Sequence, residues 1–575
     1  MEKINVGDYI VEFLYKHGVT DVFGYQGGMI TYLFDAFARH KDKILYHETY
    51  NEQGAAFAAC GYAQVTGKVG FAFSTSGPGF TNLMTGIANA YYDSTPVIFV
   101  SGQVNFKDKK HGMPLRQKGF QEIIAPEIAK PITLGSFDID YGTQIVDTFN
   151  KAYELAMSKR RGPIFIEIPI NVFRDDVEFE DIELEKKEYK AISDSMISFI
   201  TEKINKSKRP VIIAGAGINQ CNLRNNFREF VENIQIPVVT TLPSVDLLPT
   251  CSLYNYGYIG ASGKRVPNFI VKEADLVLTL GTRLSSRQVG HHFEKFAPNA
   301  ELIRVDIDLN EFIRKIKPNE IEINCELNDF INSFTNVEFI QHKEWLNCCY
   351  GLREKLDNID STYGNEIMKI ITNELPENSN IILDVGKNQI WGGQSSQIKG
   401  ETKLLMSAGL GSMGYSLPAS IGAYYGNKHL TYSFNGDGGI QMNIQELQTI
   451  SKNNLPIKIF VLNNRSLGMI SLFQDQYFES RYTGSKESCE DYYSANILEI
   501  ANAYEIKSYH LNQPNDILKY KSELISDEPV LFDIEIDEDE PILPGIPAGD
   551  DLIEKGPKLD NIIKDYMKKC FKEIK

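Results

Sequence analysis

Two short apolar runs and the turns that follow them constrain this chain most. Residues 430–434 read as a buried strand that runs into Asn435-Gly436-Asp437-Gly438-Gly439. Residues 457–462 read as a second strand that runs into Asn463-Asn464. The 24 residues from Gly439 to Leu462 are the length of a strand–helix–strand crossover. The two strands are therefore expected to lie parallel, with both turns at the carboxyl edge of one sheet, where open α/β sheets bind ligands. Gly436, Gly438 and Gly439 let backbone approach a phosphate closely. Asp437 offers a carboxylate, Asn464 an amide oxygen and Ser466, by position, a backbone carbonyl. These are the hard oxygen donors that Mg²⁺ takes, with phosphate and water filling its other positions. Each motif by itself is ordinary turn chemistry; the separation makes a metal-diphosphate site the expected reading of the pair.

Apolar, β-rich runs alternate with helix-period segments along the rest of the chain, the pattern of α/β architecture. Strands are expected at 69–74, 97–101 and 164–168, at 210–214, 238–241, 276–280 and 302–306, and at 381–384 and 530–536. Together with 430–434 and 457–462 they form three clusters. The expected fold is α/β: three doubly wound parallel-sheet domains in series, since 575 residues exceed what one core holds. The assigned spans are 1–175, 191–335 and 363–550, with 551–575 as a helical tail. The charged stretch 175–190 reads as a linker; at 335–362, Trp345 and Leu352 suggest helix and blur the second boundary.

The net charge of −17 argues against nucleic acid as a partner. The eight cysteines show no zinc-ligand spacing, and reduced, mostly buried thiols are expected. No run approaches the ~20 apolar residues that span a bilayer, and residues 1–5 lack a signal-peptide core, so a cytoplasmic protein with no membrane partner is expected.

Glu52, in Asn51-Glu52-Gln53-Gly54, begins a helix of small residues whose close packing would exclude water. About 25 residues on, Ser76-Gly77-Pro78-Gly79 turns a strand into a helix, and residues 24–28 form a further glycine loop. A carboxylate at a helix start has a plainer use, stabilising the dipole by ~0.3–1 kcal/mol. These segments, with Gly119-Phe120-Gln121-Glu122, residues 386–391, residues 409–414, Gly468-Met469 and residues 544–549, resemble in order the acetohydroxyacid (acetolactate) synthase branch of the thiamine-diphosphate enzymes. The resemblance covers nearly the whole chain.

It implies thiamine diphosphate and Mg²⁺ as cofactors, with Asp437, Asn464 and Ser466 on the metal. Glu52 would be the acid that activates the aminopyrimidine, and Met413 the apolar wedge that bends the cofactor. Gln389, Gly411, Gly436, Gly438, Gly439, Gly468 and Met469 would line the cofactor, while Gly27, Phe120 and Gln121 would face the substrate. In the family, Glu52 and these substrate-side residues come from the neighbouring subunit, so a homodimer or homotetramer is implied. The implied reaction removes CO₂ from a 2-oxo acid, pyruvate first among them, and joins the remaining two-carbon unit to a second carbonyl. Pyruvate or 2-oxobutyrate as acceptor would be acetolactate synthase chemistry, as in branched-chain amino-acid biosynthesis. A nucleotide-linked ketosugar acceptor, or simple decarboxylation, stays open.

Departures from the family pattern gather around the acceptor. Gln26 replaces a proline, Gln117-Lys118 a small polar run, Asn171 a lysine and Phe473 a tryptophan. Gly215-Ala216-Gly217 lacks the third glycine of a dinucleotide fingerprint and reads as a strand-to-helix turn. Residues 281–290 and 296–298 match a flavin-lining region and keep Arg283 and Arg287, but Ser285 and Ser286 stand where acidic residues are usual. FAD is therefore an open second cofactor. A dehydrogenase would leave Glu52 and the metal motif unexplained, and a non-catalytic paralogue would have lost one of Glu52, Asp437 and Asn464.

Overall fold

The computed structural model describes residues 2–179, 192–545 and 555–574. Three six-stranded sheets follow one another along the chain, each parallel throughout. The first runs Leu45–Glu48, Asp21–Gly24, Gly70–Ser74, Val97–Gln103, Ile164–Pro169, Gly135–Asp138. The third runs Lys403–Met406, Asn380–Leu383, Thr431–Gly436, Ile457–Asn463, Val530–Glu535, Lys507–Leu511. Numbered within each sheet, both have the order 2-1-3-4-6-5. The first and third sheets thus share a topology that residue identity does not reveal. The middle sheet differs: Asn255–Tyr258, Val238–Thr240, Pro210–Ala214, Leu276–Leu280, Glu301–Asp306, Ile321–Asn324, the order 3-2-1-4-5-6 of dinucleotide-binding folds.

All the expected strands are present, and their central residues are buried apolar side chains such as Val100, Ile166, Ile212, Leu278, Phe434 and Phe460. The strands that the sequence did not suggest are mostly short edge elements. Leu45–Glu48 exposes Leu45 and Tyr46, and Lys507–Leu511 is largely half-exposed. Such strands lack the continuous apolar run that marks a strand buried on both faces.

The internal repeat extends to the helices. Helix Glu52–Thr66 follows the second strand of the first sheet, and helix Ser416–Asn427 follows the second strand of the third. They pack directly on one another. A Cβ at Gly61 would overlap the Ala419 carbonyl, and one at Gly422 would overlap the Ala58 carbonyl. Glycine and alanine at these positions are what lets the two backbones meet, so one hydrophobic core spans both sheets, running from Phe57 and Tyr62 to Leu417 and Ile421.

Two expectations are corrected. Part of the charged stretch 175–190 is not a linker: Asp176–Phe179 pairs antiparallel with Glu2–Asn5. Its charges alternate with apolar residues, and Val177 is buried, so a period of two was hidden by net charge. Residues 180–190 lie outside the described residues. The cysteines are not all reduced: Cys348, on helix Lys343–Leu356, is bonded to Cys570 on helix Asn561–Glu573, 222 residues away in sequence. That pairing joins two helices that sequence spacing could not bring together.

Candidate functional site

The 2-1-3-4-6-5 order reverses direction between strands 1 and 3, and loops diverge there to leave a crevice. Each of the two related sheets gathers candidate residues at that point.

In the first sheet the crevice is built on the turn after Gly70–Ser74. Gly27, on the loop after Asp21–Gly24, presses on Thr75, which leaves no room for a Cβ. Gln121, held at φ 66°, lies against Gly77, itself at φ 62°. Glu52 reaches the same turn: its Oε1 is 3.1 Å from where a Gly79 Cβ would stand. Its Oε2 accepts a hydrogen bond of 2.9 Å from Asn82 Nδ2, on helix Pro78–Tyr92. Glu52 is buried, and the buried Ser76 Oγ, on the same turn as Gly77 and Gly79, has no protein partner. Gly27, Glu52 and Gln121 therefore converge, while Phe120, 80 % exposed, points away from protein.

Of the departures, Asn171 has a structural use, since its Oδ1 accepts from the Phe106 N–H at 2.8 Å. Gln117 donates to the Glu122 carbonyl at 3.0 Å, and Gln26 accepts from the Gly27 N–H at 3.2 Å. Phe473 stands 53 % exposed on helix Gly468–Tyr477, beside the Tyr477 ring.

In the third sheet the crevice is built on Gly436-Asp437-Gly438-Gly439. Asp384, fully buried at the end of Asn380–Leu383, ties the loops together. Its oxygens accept from the N–H groups of Gly414 (3.0 Å) and Tyr415 (2.9 Å), and a Cβ at Gly439 would collide with it. Burial raises its pKa to about 6, against the pull of those N–H groups. The Met413 side chain comes over Gly438, its Cε 3.6 Å from a Cβ built there. Gly411, at φ 74°, has open space around it. Gln389 is committed to the Ser407 carbonyl at 2.9 Å. Its neighbour Asn388 faces Gly436, with a buried Oδ1 that no protein group satisfies. Gly468 lies against the Lys387 stem, and burial lowers that lysine's pKa. Met469 is half-buried beside it.

Asp437, Asn464 and Ser466 meet, although they come from two strand ends. With its amide turned one way, Asn464 Nδ2 donates to Asp437 Oδ1 (3.2 Å) and to the Ser466 carbonyl (3.0 Å). Turned the other way, as a cation would draw it, the amide oxygen takes that position, 3.2 Å from Asp437 Oδ1 and 3.0 Å from the Ser466 carbonyl. Octahedral Mg²⁺ with bonds of about 2.1 Å separates neighbouring ligand oxygens by about 3.0 Å, close to these spacings. Burial raises the Asp437 pKa to about 6 despite a hydrogen bond from Tyr492, and a cation there would supply the missing countercharge. The donor set fits Mg²⁺. Gly436, where a built Cβ meets nothing nearer than the Asn388 Nδ2 donor at 3.8 Å, leaves room and polarity for a phosphate ester next to it.

The residues that sequence reading missed are Asp384, Glu446, Asn443 and Tyr492. Asp384 carried a signal, an acid closing an apolar strand; the others sit in unremarkable helical or loop sequence.

The middle sheet has its own crevice where its order reverses. A cavity of about 390 Å³ is lined there by Gly217, Gly281, Arg283 and Gln288, and by Asp93 and Arg160 of the first domain. Gly215-Ala216-Gly217 is a tight strand-to-helix turn into Gly217–Gln220, with Gly215 packed on the Gly281 carbonyl. Arg283 lines the cavity and Arg287 does not. Among the described residues no helix is long and apolar enough to cross a membrane.

Three family models match in the order of the sheets. They are the N-terminal TPP binding domain of the thiamine pyrophosphate enzymes at residues 4–128, their central domain at 197–334, and their C-terminal TPP binding domain at 384–534. The chain is 35 % identical to the acetolactate synthase large subunit of Lactococcus lactis, covering 96 % of each chain. It is 34 % identical to a probable acetolactate synthase large subunit of Methanocaldococcus jannaschii, over 94 % of this chain and 93 % of the relative. It is 33 % identical to the isozyme 1 large subunit of Escherichia coli, over 94 % and 96 %.

Proposed function

Since the chain belongs to the thiamine pyrophosphate enzymes, among relatives of the acetolactate synthase large subunits, we propose that it decarboxylates pyruvate and ligates the two-carbon unit to a second 2-oxo acid. The bound cofactor supplies the nucleophile and the electron sink. Asp437, Asn464 and the Ser466 carbonyl would hold Mg²⁺, which would neutralise the diphosphate beside the Gly436–Gly439 turn. Gly468, Met469 and Gln389 would line the cofactor, and Met413 would press on it from the Gly411 turn.

Glu52 would hold and return the proton at the aminopyrimidine ring. Its burial and the Asn82 hydrogen bond keep the carboxyl group in one orientation. As in the family, it would serve the cofactor of a second copy of the chain, as would Gly27, Phe120 and Gln121. Such a pairing makes at least a homodimer, and large-subunit relatives make a regulatory partner a further part of this reading. Phe120 and Phe473, both exposed in a single chain, would then be covered at the substrate side, excluding the water that would otherwise divert the product to aldehyde.

The observation that carries this reading is that the Asn464 amide meets Asp437 Oδ1 at 3.2 Å and the Ser466 carbonyl at 3.0 Å at the strand ends. Pyruvate supplied alone, with thiamine diphosphate and Mg²⁺, tests it. Two pyruvate consumed per CO₂ and per acetolactate supports it. CO₂ without acetolactate points instead to simple decarboxylation, or to another acceptor such as a nucleotide-linked ketosugar.

The middle crevice supports FAD as a second ligand. Its sheet order is that of dinucleotide binders, and Arg283 stands at the cavity to meet a phosphate or the flavin ring. A flavin spectrum released from the denatured protein checks this; a colourless protein that takes up no added FAD rejects it.

A further inference from the structure

The Asp437 carboxylate has two oxygens in different surroundings. Oδ1 faces the Asn464 amide at 3.2 Å. Oδ2 accepts a hydrogen bond of 3.0 Å from the Tyr492 hydroxyl, 55 residues along the chain. The same hydroxyl lies 3.0 Å from a Cβ built at Gly438, so the phenol is wedged over the glycine turn beside Met413. Two residues on, Ser494 donates to Asn463 Oδ1 at 3.3 Å, which pins the segment to the end of the neighbouring strand. Tyr492 is half-buried, and its neighbour Tyr493 is exposed.

A donor on Oδ2 competes with a cation for that oxygen and favours coordination through Oδ1 alone. Mg²⁺ takes carboxylates through one oxygen and demands a compact octahedron. Ca²⁺ accepts both oxygens of a carboxylate and a larger, looser shell of 6–8 ligands. A donor fixed on the second oxygen therefore favours the smaller ion, and hydrogen-bond partners of ligands commonly set metal affinity by 10–100-fold.

We infer that Tyr492 is a positioning residue that makes the Asp437 site selective for Mg²⁺ over Ca²⁺ by holding that carboxylate to one-oxygen coordination. The inference rests on Asp437 being a metal ligand, and the experiment separates the two. Mg²⁺ and Ca²⁺ are titrated calorimetrically into the full-length protein with thiamine diphosphate present, for the wild type, Tyr492→Phe, Tyr493→Phe and Asp437→Ala.

Tyr492→Phe, which keeps the ring and loses only the hydroxyl, should weaken Mg²⁺ binding roughly tenfold and Ca²⁺ binding less, so the Mg²⁺:Ca²⁺ preference falls. Tyr493→Phe should match the wild type, and Asp437→Ala should abolish the response to both ions. Unchanged affinities for both ions in Tyr492→Phe, with Asp437→Ala inactive in binding, overturn the inference alone. Unchanged Mg²⁺ binding in Asp437→Ala overturns the site reading beneath it. Should Tyr492→Phe fail to fold, as judged by its melting curve, Ser494→Ala tests the same clasp, through the segment that carries the tyrosine and through the serine's own hydrogen bond to Asp437. An unchanged ion preference in that variant counts against the inference.

Discussion

Glu446 Oε1 accepts a hydrogen bond of 3.0 Å from the backbone N–H of Tyr50, two residues before Glu52. The glutamate belongs to the third domain and the tyrosine to the first. Its other oxygen accepts from Thr449 Oγ1 at 2.9 Å, and Asn443 donates both to Gln53 Oε1 (3.2 Å) and to the Gly414 carbonyl (2.9 Å). Residues 443–446 thus bridge the start of the Glu52 helix and the turn that carries Met413.

Burial raises the Glu446 pKa to about 7 from an ordinary 4.5, against the hydrogen bonds it accepts. The folded state therefore keeps a proton that the unfolded state loses, so this group's contribution to stability is full below about pH 4.5 and declines as pH rises to about 7. Asp384 and Asp437 shift in the same sense, so the wild-type slope is shared. Glu446→Gln should flatten the fall in Tm across that window relative to the wild type. Parallel Tm–pH curves would show that Glu446 does not titrate there.

The close packing of helices Glu52–Thr66 and Ser416–Asn427 predicts intolerance of one methyl group. Gly422→Ala would drive a Cβ into the Ala58 carbonyl. Because backbone rather than a side chain must yield, the cost should reach or exceed the upper end of the ~1–3 kcal/mol usual for overpacking. Gly28→Ala, with nothing within 4 Å of its Cβ, is the control. Calorimetry should show a clear loss of Tm in the first and none in the second.

The metal reading predicts that Asn464→Leu, which keeps bulk but loses the amide oxygen, weakens Mg²⁺-dependent binding of thiamine diphosphate. Loss of a ligand should cost no less than the roughly tenfold expected when a ligand's partner is lost. Chelation with EDTA should lower cofactor affinity in the wild type and change it little in the variant. Equal sensitivity to EDTA in both would remove Asn464 from the metal.

Much of this was legible in the sequence because function is concentrated at the ends of buried strands. Gly436-Asp437-Gly438 and Asn463-Asn464 follow apolar runs, and their separation fixes a crossover, so the parallel pair 431–436 and 457–463 could be read directly. Edge strands such as Leu45–Glu48 could not, being half-exposed and short. Asp176–Phe179 was hidden by its charges, and the Cys348–Cys570 pair by 222 residues of chain. Glu446 and Tyr492 were invisible for another reason. Their significance lies wholly in what they touch, a Tyr50 N–H and an Asp437 oxygen, and neither contact has a local pattern. The shared order of the first and third sheets belongs to topology and leaves no trace in residue identity.

In the proposed mechanism Glu52 activates bound thiamine diphosphate. Exchange of the cofactor's thiazolium C2 proton for deuterium, followed by quenched-flow NMR on the wild type and Glu52→Gln, tests it most directly. The glutamine keeps the shape and the Asn82 contact but cannot exchange a proton, so cofactor affinity should stay close to the wild type while C2 exchange slows by roughly 10²–10⁴-fold. Exchange at the wild-type rate with cofactor fully bound would remove Glu52 from the activation step.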